Sequence, residues 1–150
     1  EAVVVSRVRL AARLLSDAAW SANPDFRAEP GTEIGLHGNW RSIDIPGRIL
    51  LARALYAGFG GADADFPAMG RLVSDERLAR ARQWGLAIRL AQRLTGGVEA
   101  PLKASGIALA DGKLRLSLDA GWHHLAGESV ERRLRILAQA LDAKPELVLL

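Results

Sequence analysis

Residues 107–118 read Ile107-Ala108-Leu109-Ala110-Asp111-Gly112-Lys113-Leu114-Arg115-Leu116-Ser117-Leu118. Large aliphatic residues at every second position give the period of a half-buried strand. Between the two runs, Asp111-Gly112 supplies residues that accept positive φ in a two-residue turn, so the stretch predicts a β-hairpin. Upstream the period is helical: Leu78, Ala81, Gly85, Ile88 and Ala91 form one stripe, Ser74 opens the run, and Thr95-Gly96-Gly97 closes it. The chain changes character at that glycine pair. The pattern predicts a mainly α fold: a helical core over residues 1–97, then a small α+β appendage over residues 98–150, packed on it as one compact unit.

The flanking segments extend this reading. Residues 5–20 carry Val8, Ala12, Leu15 and Ala19 at helical spacing, with Arg7, Arg9 and Arg13 between them, until Asn23-Pro24-Asp25 breaks the helix. Thr32 is placed to cap a brief helix bearing Ile34 and Leu36. Asp44-Ile45-Pro46 has the N-cap and first-turn proline of a helix start. The pattern then runs through Ile49, Leu50, Ala52, Leu55 and Tyr56 to the stop Gly58-Phe59-Gly60-Gly61. A loop follows, with room for one helical turn. After the hairpin, Val130, Leu134, Leu137 and Leu141 predict a helix over residues 128–141, and residues 146–150 predict a short terminal strand.

Composition narrows the chemistry. The chain has 150 residues, 49% of them hydrophobic and 25% charged, which suits one compact domain with a single core. Without cysteine, disulfides and thiolate metal sites are excluded. No apolar run approaches the length of a membrane span. Twenty basic residues against 17 acidic ones give a net charge of +3, and all but Lys103, Lys113 and Lys144 of those bases are arginine. Arginine binds planar and tetrahedral anions through a fixed fork of donors and keeps its charge, so such a surface suits phosphate partners. Arg82, Arg89 and Arg93 fall on one helical face, and Arg77 and Arg80 lie near the start of the same helix. His123 and His124 are adjacent and point apart, while His37 and Glu33 have helical ligand spacing but no third ligand nearby. Ser16, Ser42 and Ser74 lack a triad context. No catalytic residue and no metal ligand set are expected. The chain begins at Glu1 and reads as a piece of something longer, with the cytoplasm as the default compartment.

The string Leu14-Leu15-Ser16-Asp17-Ala18-Ala19-Trp20-Ser21-Ala22-Asn23-Pro24-Asp25-Phe26-Arg27-Ala28-Glu29, with Gly47-Arg48 and Gly60-Gly61 after it, resembles the C-terminal helical domain of the exopolyphosphatase / guanosine-pentaphosphate phosphatase family. Trp84-Gly85-Leu86-Ala87-Ile88-Arg89-Leu90-Ala91, Leu94-Thr95-Gly96-Gly97 and the Gly127-Glu128-Ser129-Val130 helix start are similar to later parts of the same domain, so the resemblance covers nearly the whole chain. It implies an HD-like helical bundle attached to actin-like N-terminal catalytic lobes, where magnesium-dependent release of terminal phosphate from polyphosphate takes place. It implies no cofactor in this chain. The helical domain is expected to help hold the polyanion and to contribute homodimer contacts. Arg27 and Arg48, which match the motif, and the nearby Arg41 are the anion-binding candidates, and Asp17 and Asp25 are structural members of the motif. The sequence departs from the pattern where Ser16-Asp17 stands for His-Asp and where Asn23 and Ile45 stand for histidines. Asp17 alone cannot assemble a metal site, so it is expected to tie helix ends together or to pair with an arginine such as Arg27 or Arg48.

Two readings from other classes accompany this one. A purely structural dimerisation module would use Trp20, Trp40, Trp84 and Trp122 as interface anchors. A nucleic-acid-binding domain would use the basic faces, although no helix-turn-helix or RRM-type fingerprint is present.

Overall fold

A computed structural model describes residues 2–17, 28–67 and 72–150. In chain order these form α1 (Ala2–Leu15), α2 (Ala28–His37), α3 (Ile45–Phe59), α4 (Asp75–Thr95), α5 (Glu99–Lys103), β1 (Ser105–Ala110), β2 (Lys113–Leu118), α6 (Glu128–Ala140) and β3 (Lys144–Leu149), with 3-10 turns at Asp63–Asp65 and His123–Leu125. The fold is mainly helical and ends in a small three-stranded sheet, as the sequence predicts. Two compact units divide within α4, Glu1–Ile88 and Arg89–Leu150.

The helical unit is built around α3. Asp44 caps it, its Oδ1 accepting from the Gly47 N–H at 2.9 Å, and Pro46 occupies the first turn, where no N–H is needed. Gly60, at φ 93°, ends it in the left-handed conformation that glycine adopts without penalty. Between these caps every residue from Ile49 to Gly58 is buried. A helix apolar on all sides needs neighbours on all sides. Here α1 contributes Val8 and Ala12 and α4 contributes Ala81, packed with Leu50, Leu51 and Leu55.

Helix α2 differs from expectation. It starts at Ala28, not beyond Thr32, and accommodates Pro30 in its first turn. Thr32 is an interior residue whose hydroxyl donates to the Ala28 carbonyl at 3.1 Å, so its hydrogen bond runs back along the helix and caps nothing. The structure ends α1 at Leu15, and the predicted turn at Asn23-Pro24-Asp25 lies outside the described residues.

In the α+β unit, Gly96 (φ 58°) and Gly97 (φ 83°) stop α4 where the sequence places its end. Strands β1 and β2 pair antiparallel through Ala110 and Lys113, and Asp111 (φ 51°) and Gly112 (φ 69°) make the turn. Strand β3 begins two residues earlier than predicted and lies parallel to β2, which requires the crossover that α6 supplies. Leu114, Leu116 and Leu118 are buried together with Val130, Leu134 and Leu137 of α6. Register is locked on the other face, where Glu146 accepts from Lys113 Nζ at 2.9 Å and Arg115 Nε at 2.6 Å. Those hydrogen bonds hold the Glu146 carboxyl below its usual range. The short α5, with Pro101 buried, has no counterpart in the sequence reading.

Close packing of helix backbones generates a test. A Cβ at Gly85 would collide with the Ala54 carbonyl oxygen and stand 2.8 Å from the Gly58 nitrogen, both backbone atoms that cannot rotate away. Gly85→Ala is therefore expected to destabilise the chain by roughly 1–3 kcal/mol through overpacking, although alanine favours helix intrinsically. Urea unfolding checks this: the midpoint should fall at unchanged slope, and a midpoint at or above wild type would refute the close approach.

Candidate functional site

The described residues hold one internal charge cluster in the helical unit. Arg53 projects from the buried helix α3, with only 9% of its side chain exposed. Its Nη2 donates to Asp63 Oδ1 at 2.6 Å, and the guanidinium lies 4.8 Å from the Phe66 ring centroid. Arg82 of α4 reaches the same carboxylate twice, Nε to Oδ1 at 2.8 Å and Nη2 to Oδ2 at 2.7 Å. Burial alone would raise the Asp63 carboxyl, but the hydrogen bonds and charges of Arg53 and Arg82 outweigh it and hold the group below its usual value. An acid clamped in its ionised form by two guanidiniums is poorly suited to proton transfer. This cluster fastens α3, α4 and the intervening turn, and it is structural.

The residues singled out from sequence are distributed unevenly. Arg48 is half-buried, and it donates through Nε to the Ile43 carbonyl at 3.2 Å and through Nη2 to the Trp40 carbonyl at 2.9 Å. Trp40 in turn donates to the Ile34 and Gly35 carbonyls, each at 3.1 Å. Arg48 thus pins the loop ahead of α3, and Arg41, the next residue after Trp40, is exposed on that loop. Arg27, Asp25 and Trp20 lie outside the described residues. Asp17 accepts from Arg13 Nη1 at 2.7 Å, and Ser16 donates to the Arg13 carbonyl at 2.6 Å, so this stretch ties off the end of α1. Both partners of the Arg13–Asp17 pair are about half exposed, which places its contribution at roughly 0.3–0.5 kcal/mol. Among the described residues no three His, Asp or Glu side chains converge as a metal site would require.

A feature the sequence reading did not assemble is a cleft of about 550 Å³ in the helical unit. Ser6 and Arg9 of α1 line one side, and Ser74, Arg77, Arg80 and Trp84 line the other. Glu76 is the acidic residue of the lining and stands 3.6 Å from Arg80, with both side chains well exposed. Such an opening, rich in arginine and hydroxyl donors, is suited to an extended anion. Arg77 and Arg80 are visible in the sequence as a basic helix start. Arg9 is not linked to them there, because the two helices meet only in the fold.

The Asp63 clamp yields a pH prediction. A carboxyl whose folded-state pKa lies below its unfolded value of 3.8 contributes stability fully above that value and loses it as pH falls through the folded pKa. Asp63→Asn is expected to cost about 1–3 kcal/mol at neutral pH, mainly because Arg53 is left buried without its charge partner. Denaturation midpoints of the variant and wild type should converge as pH drops below 3.8. A gap that stays constant with pH would show that the ion pair is not its source.

Among curated proteins, none matches the chain significantly. The family model of the exopolyphosphatase C-terminal domain matches residues 1–148, which is nearly the full length. By that match, the chain belongs to the exopolyphosphatase C-terminal domain family.

Proposed function

We propose that this domain is the C-terminal accessory part of a cytoplasmic exopolyphosphatase-like hydrolase, holding the polyanionic substrate while catalysis takes place in N-terminal actin-like lobes. The observation that carries the reading is the Arg9–Arg77–Arg80 cleft on a chain of this family. Phosphoanhydride chains present oxygens at regular spacing, and guanidiniums meet them with paired, charge-assisted hydrogen bonds. Arg41, exposed on a loop that Arg48 fixes, and the family-motif residue Arg27 are further anion-binding candidates in this reading. The magnesium-dependent release of terminal phosphate belongs to the catalytic lobes in this reading. The described donors of this chain do not fit such an ion, so no step passes through one here.

A contact role has its own observation. β1 is an edge strand, and Ile107 and Leu109 on it are each 55% exposed. An open, apolar edge is a template for pairing, and it would serve homodimer contacts alongside substrate binding. Sedimentation at rising concentration should show self-association that Ile107→Lys abolishes, and a monomer throughout removes this role from the isolated chain.

Calorimetric titration with long-chain polyphosphate tests the main reading. Binding is expected at low salt and should weaken steeply as ionic strength screens the arginines. The double variant Arg77→Ala, Arg80→Ala should lower affinity at least tenfold, by roughly the loss of one or more charge-assisted hydrogen bonds. Absence of binding at low salt would sink the substrate-holding role.

A further inference from the structure

The α+β unit contains a second gathering of arginines, and it is built differently from the first. Arg89 and Arg93 lie four residues apart on the last turns of α4, while Arg132 and Arg133 lie on α6. One serine joins the two helices: Ser129 Oγ accepts from Arg93 Nε at 2.9 Å and from Arg133 Nη1 at 2.5 Å. The same Nη1 donates to the Ser129 carbonyl at 2.9 Å. Arg133 Nε is buried without a partner. Burial, and then the neighbouring guanidinium of Arg132, pushes Arg89 below the usual arginine range. Arg133 is lowered by burial and by the charges of Arg89, Arg132 and Arg93.

Among the described residues these charges are not neutralised by an ion pair. Five arginines elsewhere meet carboxylates: Arg13 with Asp17, Arg53 and Arg82 with Asp63, Arg80 with Glu76, and Arg115 with Glu146. Among the described residues, none of Arg89, Arg93, Arg132 and Arg133 has a carboxylate at ion-pair distance, although Glu128 and Glu131 share the first turn of α6. A neutral serine hydroxyl positions two guanidiniums without offsetting their repulsion.

We propose that Arg89, Arg93, Arg132 and Arg133 form an anion site for a short segment of phosphate chain, with Ser129 holding two of the guanidinium forks in place. Tetrahedral phosphate oxygens accept several such forks at once, which a single carboxylate does not. The choice of a phosphate chain over another oxyanion rests on the polyphosphate reading given above. The site itself rests on the cluster. Uncompensated half-buried charge costs stability, so the proposal carries a signature of opposite signs: relieving the repulsion stabilises the free domain and weakens its anion binding.

The experiment uses the full chain with tripolyphosphate, orthophosphate and sulfate as probes, read by calorimetry and thermal unfolding. Arg89→Gln keeps much of the stem and removes the charge. It is expected to raise Tm without anion and to weaken tripolyphosphate binding at least tenfold, the size of one charge-assisted contact. Arg93→Lys keeps the charge but loses the fork, and should give a smaller loss. Arg132→Gln, at an exposed position, serves the same purpose if Arg89→Gln fails to fold. Tripolyphosphate should bind more tightly than orthophosphate or sulfate; equal affinity for all three overturns the phosphate-chain assignment. Wild-type binding in both Arg89→Gln and Arg132→Gln overturns the site. A loss confined to the Arg77, Arg80 double variant overturns it too while leaving the proposed function standing. A loss confined to the Arg89 and Arg132 variants supports it and counts against the cleft of the helical unit.

Discussion

Arg53 is a cation in the middle of a helix that has no solvent face. A buried guanidinium without a counter-charge is costly enough that the helix would have to turn outward to hydrate it. It does not, because Asp63 returns from the turn after Gly60 to meet it. Arg82 then draws α4 to the same carboxylate, and Phe66 covers the guanidinium. One carboxylate thereby fixes the exit from α3, the turn that follows and the approach of α4. Arg53 Nη1 is still buried without a partner, so the compensation is incomplete. The helical unit depends on this contact more than on any exposed pair: Glu76 with Arg80 or Arg13 with Asp17, at i and i+4, adds only about 0.3–0.5 kcal/mol.

What the sequence made legible was local. Asp44 ahead of Ile45-Pro46, Gly60 after the α3 pattern, and Asp111-Gly112 between two alternating runs each act over a few residues, and each does in the fold what its chemistry suggests. What escaped was decided by partners distant in the chain. Thr32 has the composition of a cap, yet tertiary packing of α2 on α3 carries the helix back to Ala28 and leaves Thr32 inside it. Gly35 permits that packing, since a Cβ there would stand 2.5 Å from Ala52 Cα. The terminal strand was visible as an apolar run. Its parallel pairing was not, because the Glu146 contacts with Lys113 and Arg115 span more than thirty residues.

Arginine shows the same division more sharply. In sequence the arginines form one class, and helical spacing groups Arg82, Arg89 and Arg93 as a single stripe. The fold assigns them different work. Arg82 is spent on Asp63, whereas Arg89 and Arg93 belong to the uncompensated cluster with Arg132 and Arg133. Arg48 matches a family motif and is taken up largely with backbone carbonyls. Spacing on a helix fixes which face a side chain shares; it does not say whether a carboxylate arrives there from another element. For the candidate site that arrival decides the outcome, and the Arg9–Arg77–Arg80 cleft is assembled only in three dimensions.

The identity of the unpaired bases matters to what they can do. A lysine held among like charges in a half-buried setting lowers its pKa and gives up its proton, which ends the repulsion. Arginine does not deprotonate within the physiological range, however its surroundings push. Of the three lysines, Lys103 and Lys113 are each paired with glutamate. Among the described residues the cluster without a carboxylate at ion-pair distance is arginine throughout, so its repulsion persists at every working pH, and a bound anion would relieve it. Any ligand that binds the folded state and not the unfolded one stabilises it in proportion to the logarithm of its concentration. Under the proposal, a domain arranged in this way would couple its own stability to the supply of its anion, the coupling being set by the residue type and by the lack, among the described residues, of a carboxylate at ion-pair distance.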